Sequence, residues 1–224
     1  MRASLEQANA VSITGAQFLA ALFADLRPGH HAVIAVVPEI GPPGYAEAER
    51  WARAWWPGRE IPRRFLRANA YVTISSFAVP ADGRRSRHSQ AFVALHAVMI
   101  DDVGTKVSPD AVDRLPLSAL VETSPGNHQA WLFIRQDADS RDPSLARRLL
   151  ARMASGLTAD RTRGVIQYGR LPIGVNNKAE VGTPFRVRCI EFAPERRYSI
   201  REIAEAFQLD MTPREAHAFD EVAL

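Results

Sequence analysis

The run Phe92 to Ile100 is apolar at nearly every position and stops abruptly at Asp101-Asp102-Val103-Gly104-Thr105-Lys106. Its valine, leucine and isoleucine content and its length read as a strand of the core. Where it ends, two carboxylates, a glycine and a lysine follow in six residues, and strand ends of this kind are where active sites are commonly built. A strand needs partners, and the chain offers a hairpin soon afterwards. Ala119 to Thr123 and Gln129 to Ile134 read as two strands joined by the tight turn Ser124-Pro125-Gly126-Asn127, whose residue types are those that turns select.

Around this centre the elements are mixed. Thr14 to Leu26 carries Phe18, Leu19, Leu22, Phe23 and Leu26 at helical spacing, with Thr14 and Gln17 as a capping box. Ala32 to Val37 reads as a buried strand ending at Pro38, Tyr45 to Trp56 as a short helix, and Tyr71 to Phe77 as a strand. Trp51, Trp55 and Trp56 form either a core-facing stripe, the preferred reading, or a surface on which bases stack. Asp142-Pro143 opens a helix with Leu145, Leu149, Leu150 and Met153 on one face, ending near Gly156. Val165 to Leu171 and Phe185 to Phe192 are the last strands, Ser199 and Glu202 cap a further helix, and a final helix follows Thr212-Pro213. With no regular alternation of strand and helix, the fold class expected is α+β rather than a doubly wound sheet.

Composition narrows the function classes. At 224 residues and 46% hydrophobic content the chain can bury a sizeable core. It has neither a spanning apolar run nor a signal-peptide pattern, so a cytoplasmic protein with no membrane partner is expected. The single cysteine, Cys189, excludes an internal disulfide and a zinc cluster and is expected to be buried. Of the 28 basic residues only Lys106 and Lys178 are lysines. The arginines cluster at Arg59, Arg63, Arg64 and Arg67 and again at Arg84, Arg85 and Arg87, either as a phosphate-tracking groove or as a solvated face. His96 reads as a core histidine, His88 and His217 belong to no motif, and Tyr168 and Trp131 read as packing residues.

Asp101 and Asp102 are the first candidates for magnesium or manganese ligands, since carboxylate oxygens suit these ions. On a regular strand neighbouring side chains point to opposite faces, so both reach one metal only where the strand ends or twists between them. Gly169-Arg170-Leu171-Pro172-Ile173-Gly174-Val175-Asn176-Asn177-Lys178 sets an arginine, a lysine and two amides on a glycine-containing loop, a combination suited to a polyphosphate with a sugar or base.

Taken with Glu122 to Trp131, these blocks resemble the RepB-like primases of plasmids and phages, members of the archaeo-eukaryotic primase superfamily. The match runs in order from about Asn69 to Phe192. The resemblance implies a primase-like catalytic core of mixed or antiparallel sheet with flanking helices. It implies residues 1–224 as one catalytic domain, with an N-terminal segment of helix and strand over residues 1–68, a motif-bearing core over 69–192 and C-terminal helices over 193–224. Asp101 and Asp102 hold the place of the superfamily's acidic motif, whose usual form separates the two acids by one residue; here Val103 stands where the second would be expected. Asp160 is the best placed third acid, ahead of Asp137 and Asp139. The hairpin motif corresponds to Ser124, Asn127, His128 and Gln129, with Gln129 in the histidine position of an ungapped register and both His128 and Gln129 retained as candidates. Arg170, Asn176 and Lys178 match the arginine, asparagine and lysine of the nucleotide-binding motif.

The function implied is DNA-dependent primer synthesis on a single-stranded DNA template, from NTP or dNTP, by two-metal nucleotidyl transfer with Mg2+ or Mn2+ at Asp101, Asp102 and Asp160. It is expected in replication of a plasmid, phage or integrated element, either as a self-sufficient catalytic domain or with a helicase or a helical accessory domain as partner. The alternative is a catalytically inactive module that binds single-stranded nucleic acid. A rolling-circle nicking enzyme is disfavoured because His30-His31 lacks the spacing of its metal histidines.

Overall fold

The computed structural model describes residues 10–37, 52–79, 83, 87–157, 164–177 and 181–213. Thr14 caps the first helix, α1 (Gly15–Leu22), through its hydroxyl, and Gln17 completes the capping box. This helix buries Phe18, Leu19 and Leu22 and ends four residues before the expected Leu26. Pro28 follows closely and disfavours a helical backbone at Arg27.

Two sheets carry the rest. In the first, β1 (His30–Val37) is the hub, pairing antiparallel with β2 (Arg53–Trp55), β3 (Asn69–Thr73) and β4 (Ser75–Ala78). The sheet extends through β5 (Phe92–Leu95) on β4 and β9 (Tyr168–Arg170) on β3. The expected helix Tyr45–Trp56 is a strand over residues 53–55: pairing with Ala32 to Ile34 buries Ala54 and Trp55. Residues 38–51, with Trp51, lie outside the described residues.

Three runs expected as single strands each divide, among them Phe185 to Phe192, which breaks at Val187. Tyr71 to Phe77 breaks at Ile74 into β3 and β4, and Phe92 to Ile100 breaks at His96 into β5 and β6 (Ala97–Val103). The breaks at Ile74 and His96 meet, since the Ile74 carbonyl accepts from the amides of His96 (2.8 Å) and Ala97 (3.2 Å). At this joint the chain crosses into the second sheet.

The second sheet is built on the hairpin β7 (Ala119–Ser124) and β8 (Asn127–Ile134), where the sequence placed it. β6 pairs with β8 antiparallel, and β12 (Arg188–Phe192) pairs with β7. A small ribbon joins β10 (Val175–Asn176) to β11 (Phe185–Arg186), and β13 (Arg197–Tyr198) runs parallel to the end of β8. The expected strand Val165–Leu171 is a short 3-10 turn followed by β9. Helices α2 (Pro109–Val112), α3 (Pro143–Gly156) and α4 (Ile200–Ala206) flank the sheets. Asp142 caps α3, and the box of Ser199 and Glu202 caps α4. The last expected helix falls outside the described residues.

One continuous hydrophobic cluster joins both sheets and their helices. Trp131 of β8 is fully buried, stacked edge-on by Phe18 with ring centroids 5.3 Å apart. Among the described residues no helix is long and apolar enough to cross a membrane.

Candidate active site

The register between β6 and β8 decides where the acids point. Ile100 pairs with Ala130, but Val103 pairs with His128, so Asp101 and Asp102 together stand opposite Gln129 in a β-bulge. The extra residue cancels the strand's alternation. Asp102 takes φ 57°, a left-handed conformation that aspartate tolerates better than most residues. Asp101 Oδ1 accepts from the Asp102 amide (2.9 Å) and from Gln129 Nε2 (3.2 Å), while Asp102 Oδ1 accepts from Asn127 Nδ2 (3.0 Å). Asn127 and Gln129 are two apart on β8 and share a face. Both acids therefore lie on that face.

His128 lies on the other face. It is buried, stands opposite both Val103 of β6 and Glu122 of β7, and its Nδ1 has no hydrogen-bond partner. Glu122 is tied to Arg188. Ser124 pairs with Asn127 where the hairpin closes.

Gln129 also joins the two sheets. Its Oε1 accepts from the backbone amide of Arg170 in β9 (2.8 Å). Arg170 is 4% exposed, and its guanidinium fork is held by amide oxygens: one nitrogen donates to Asn69 Oδ1 (3.0 Å), another to Asn176 Oδ1 (2.9 Å). The guanidinium also lies 4.9 Å from the ring centre of Tyr71. Asn176 Nδ2 donates to the Thr123 carbonyl (2.7 Å), anchoring the β10 loop to the hairpin. Asn69 further donates to Asn177 Oδ1 and accepts from the Asn177 amide (3.3 Å).

Burial lowers the Arg170 pKa below its ordinary value, opposed by neighbouring Tyr71 and Asp101. Burial raises the Tyr71 pKa; the Arg170 charge opposes this and the Asp101 charge adds to it. Asp101, Arg170 and Tyr71 thus lie within one electrostatic neighbourhood.

The structure gathers Asp101, Asp102, Asn127, Gln129, Arg170 and Asn176 around one end of β6, β8 and β9, and leaves His128 behind the sheet. Asp160 and Lys178 lie outside the described residues. Asp139 is paired with Arg201 (2.6 Å) at the surface, and Asp137 caps a short turn through Ser140. Three contributors were not singled out as site residues from sequence. Asn69 bonds to Arg170 and Asn177, 101 and 108 positions away, and has no local signature. Lys106 contacts Asp102, and Gly169 lets β9 approach Trp131.

Among the described residues no group of three or more His, Cys, Asp or Glu side chains converges as a metal cage. Magnesium does not need one, because it is commonly held by one or two carboxylates together with substrate phosphates. The donor set fits that pattern. Two carboxylates share a face, and a cation already stands on one of them: Lys106 Nζ is 2.9 Å from Asp102 Oδ2.

This α+β arrangement is shared with solved catalytic domains of primases. The AEP domain of the cyanophage S-2L primase-polymerase superposes with a TM-score of 0.55 at 13% identity, covering 86% of this chain and 96% of that one. The catalytic domain of primase RepB', solved in complex with initiator DNA, superposes with a TM-score of 0.51 at 17% identity, covering 87% and 94%. A longer chain of primase RepB' gives the same TM-score at 16% identity, and the match covers 62% of it. No curated protein sequence matches. The sequence model of the RepB DNA-primase N-terminal domain matches residues 48–214, and the chain belongs to that family.

Proposed function

We propose that this protein is a DNA-dependent primase or primase-polymerase that makes short primers on a single-stranded DNA template from NTP or dNTP. The observation that carries this reading is the bulge that turns the adjacent Asp101 and Asp102 to one face, beside Gln129 and Arg170. Residues 1–224 are read as one catalytic domain.

Asp101 and Asp102 are the proposed ligands of Mg2+ or Mn2+, with Asp160 as the third carboxylate. When bound, paired divalent ions lower the pKa of the attacking hydroxyl and stabilise the pyrophosphate leaving group. The protein's own role is positioning. Gln129 fixes the Asp101 carboxylate against β9, and Asn127 fixes that of Asp102. Arg170 brings its positive charge to this face with its fork held rigidly by two amides. Lys178, which lies outside the described residues, is assigned to the triphosphate. Ser124 and Asn176 complete the nucleotide-binding loops, the latter by anchoring β10 to the hairpin.

The template path is assigned to the 3-10 turn Arg63–Arg67, which leads into Asn69. Arg63 and Arg67 are exposed, and Leu66 between them is one of the few exposed large apolar side chains among the described residues. Cations flanking an apolar side chain suit a single strand, with phosphates on the arginines and a base or sugar against the leucine. The turn is tied to the nucleotide loop, since the Val175 amide donates to the Ala68 carbonyl (3.2 Å).

The test is incorporation of labelled nucleotides on single-stranded DNA with magnesium or manganese, for the wild type beside Asp101→Ala and Asp102→Ala. Unprimed products that fall by orders of magnitude in the variants establish a primase, and extension only from a supplied primer indicates a polymerase. DNA binding without products under either metal would leave the non-catalytic binding module.

A further inference from the structure

We propose that Lys106 is a tethered counter-cation of Asp102, which a divalent ion must displace to bind. This rests on the reading of Asp101 and Asp102 as metal ligands.

The turn after the bulge is built to deliver this lysine. The Asp102 carbonyl accepts from the amides of Thr105 (3.2 Å), Lys106 (3.0 Å) and Val107 (3.0 Å), and the Gly104 amide donates to the Val107 carbonyl (2.8 Å). Gly104 permits the turn by adopting φ 97°, and a Cβ there would lie 2.4 Å from the Gly126 carbonyl oxygen of the hairpin. Thr105 Oγ1 contacts the Asp102 carbonyl (3.1 Å) and Asn127 Oδ1 (3.3 Å). The Lys106 backbone is thereby pinned, and its ammonium stands 2.9 Å from Asp102 Oδ2.

Asp102 has one carboxylate oxygen on Asn127 and the other on Lys106, so an incoming ion competes with the ammonium for Oδ2. The lysine can yield. Its side chain is 55% exposed, against 24% for Asp102. An exposed ion pair of this kind is weak, and a fixed positive charge beside a dication is repulsive. Lys106 offsets the charge of the acidic pair and sets the threshold of metal concentration at which the site loads.

The experiment is titration of the full chain with Mn2+ alone, following free Mn2+ by electron paramagnetic resonance, for wild type, Lys106→Met, Lys106→Arg and Asp102→Asn. Lys106→Met keeps the aliphatic stem and removes the charge, and should bind Mn2+ roughly three- to tenfold more tightly than wild type. Lys106→Arg should show no such gain, and in an Asp102→Asn background Lys106→Met should lose most of its effect. Wild-type or weaker Mn2+ affinity in Lys106→Met, with binding still sensitive to Asp102→Asn, overturns this proposal and leaves the metal assignment standing. No Mn2+ binding in either wild type or Lys106→Met would instead remove the metal assignment itself, and this proposal with it.

Discussion

Replacing Gly169 by alanine should damage both the fold and the chemistry, and the size of the effect follows from one contact. A Cβ built at Gly169 lies 2.3 Å from Cη2 and Cζ2 of Trp131 and 3.3 Å from Cγ of Met99. Ordinary carbon contacts begin near 3.5 Å, so strand and ring must separate by about 1 Å or more. Neither is free to move. The indole is fully buried against Phe18, and Gly169 pairs with Val72 in β3. Overpacking of a rigid core costs roughly 1–3 kcal/mol, and a contact this short against an immobile ring belongs at the upper end. For a chain of this length about 3 kcal/mol lowers the melting temperature by roughly 6–12 °C. Any strand shift also moves the Arg170 amide off Gln129 Oε1, so primer synthesis should fall further than the folded fraction alone explains.

The assay is thermal melting and nucleotide incorporation for Gly169→Ala, Trp131→Phe and the double variant. Phenylalanine lacks the indole's outer ring, so the double variant should be more stable than the sum of the two single losses, by at least about 1 kcal/mol. Strict additivity, or a Gly169→Ala protein that melts and works like wild type, would refute the close packing of β9 on β8.

Replacing Arg170 by methionine removes the charged donor shared by the amide oxygens of Asn69 and Asn176 and should cost about 2–4 kcal/mol in chemical denaturation. Lysine should not restore it, because a point charge cannot span both amides as the fork does. Arg63→Gln with Arg67→Gln should lower the slope of log affinity for single-stranded DNA against log salt by about 1.4, two phosphate contacts' worth, as read by fluorescence anisotropy. Asp101→Asn should leave that slope unchanged. His96 is buried, and burial, with Arg197's charge adding, pulls its pKa down to about 3. The folded state therefore holds this ring neutral while the unfolded chain protonates it near pH 6.5, so stability is full above that pH and is lost as pH falls toward about 3. At pH 5 the loss from this group is about 2 kcal/mol, and urea midpoints at pH 7 and 5 should diverge less in His96→Leu. The Cys189 thiol, pushed up to about 12 chiefly by burial, should resist disulfide reagents at pH 8 until the protein is unfolded.

Local signals were readable where local chemistry decides the structure. The hairpin turn Ser124 to Asn127, the capping boxes at Thr14 and Ser199 and the Asp142-Pro143 helix start each depend on residues within four positions of one another. Strand breaks were not readable, because the run through His96 carries no turn residue. The break there is made by a carbonyl at Ile74, and the histidine is hidden by its bond to Ser76 Oγ (3.0 Å). The 45–56 segment misled for a related reason: its tryptophans suit either a helix or a strand, and the exposed backbone of β1 decided between them at residues 53–55. In the site, the acids and the arginine motif stood out by residue type. Asn69 and Gly169 did not, since one acts through partners about a hundred residues away and the other through the absence of a side chain.

Under the proposed metal assignment, the adjacent acids and the family's spaced pair are two solutions to one geometric requirement. Two carboxylates must leave a strand on the same face, and a regular strand achieves this only at alternate positions. Val103, the alternate position here, is fully buried and pairs with His128 on the opposite face, so an acid there would be desolvated and turned away from Gln129. The bulge moves the second acid back to position 102, and further features follow from that displacement: a positive φ at Asp102, the tight turn through Gly104, and Lys106 carried onto the carboxylate. The same shift of phase puts Gln129, rather than His128, beside the acids. A histidine introduced at 129 would replace both bonds only as the neutral ring, donating from one nitrogen to Asp101 and accepting the Arg170 amide on the other, and as imidazolium it would lose the second. The glutamine, the bulge and the lysine are therefore best understood as one coupled set.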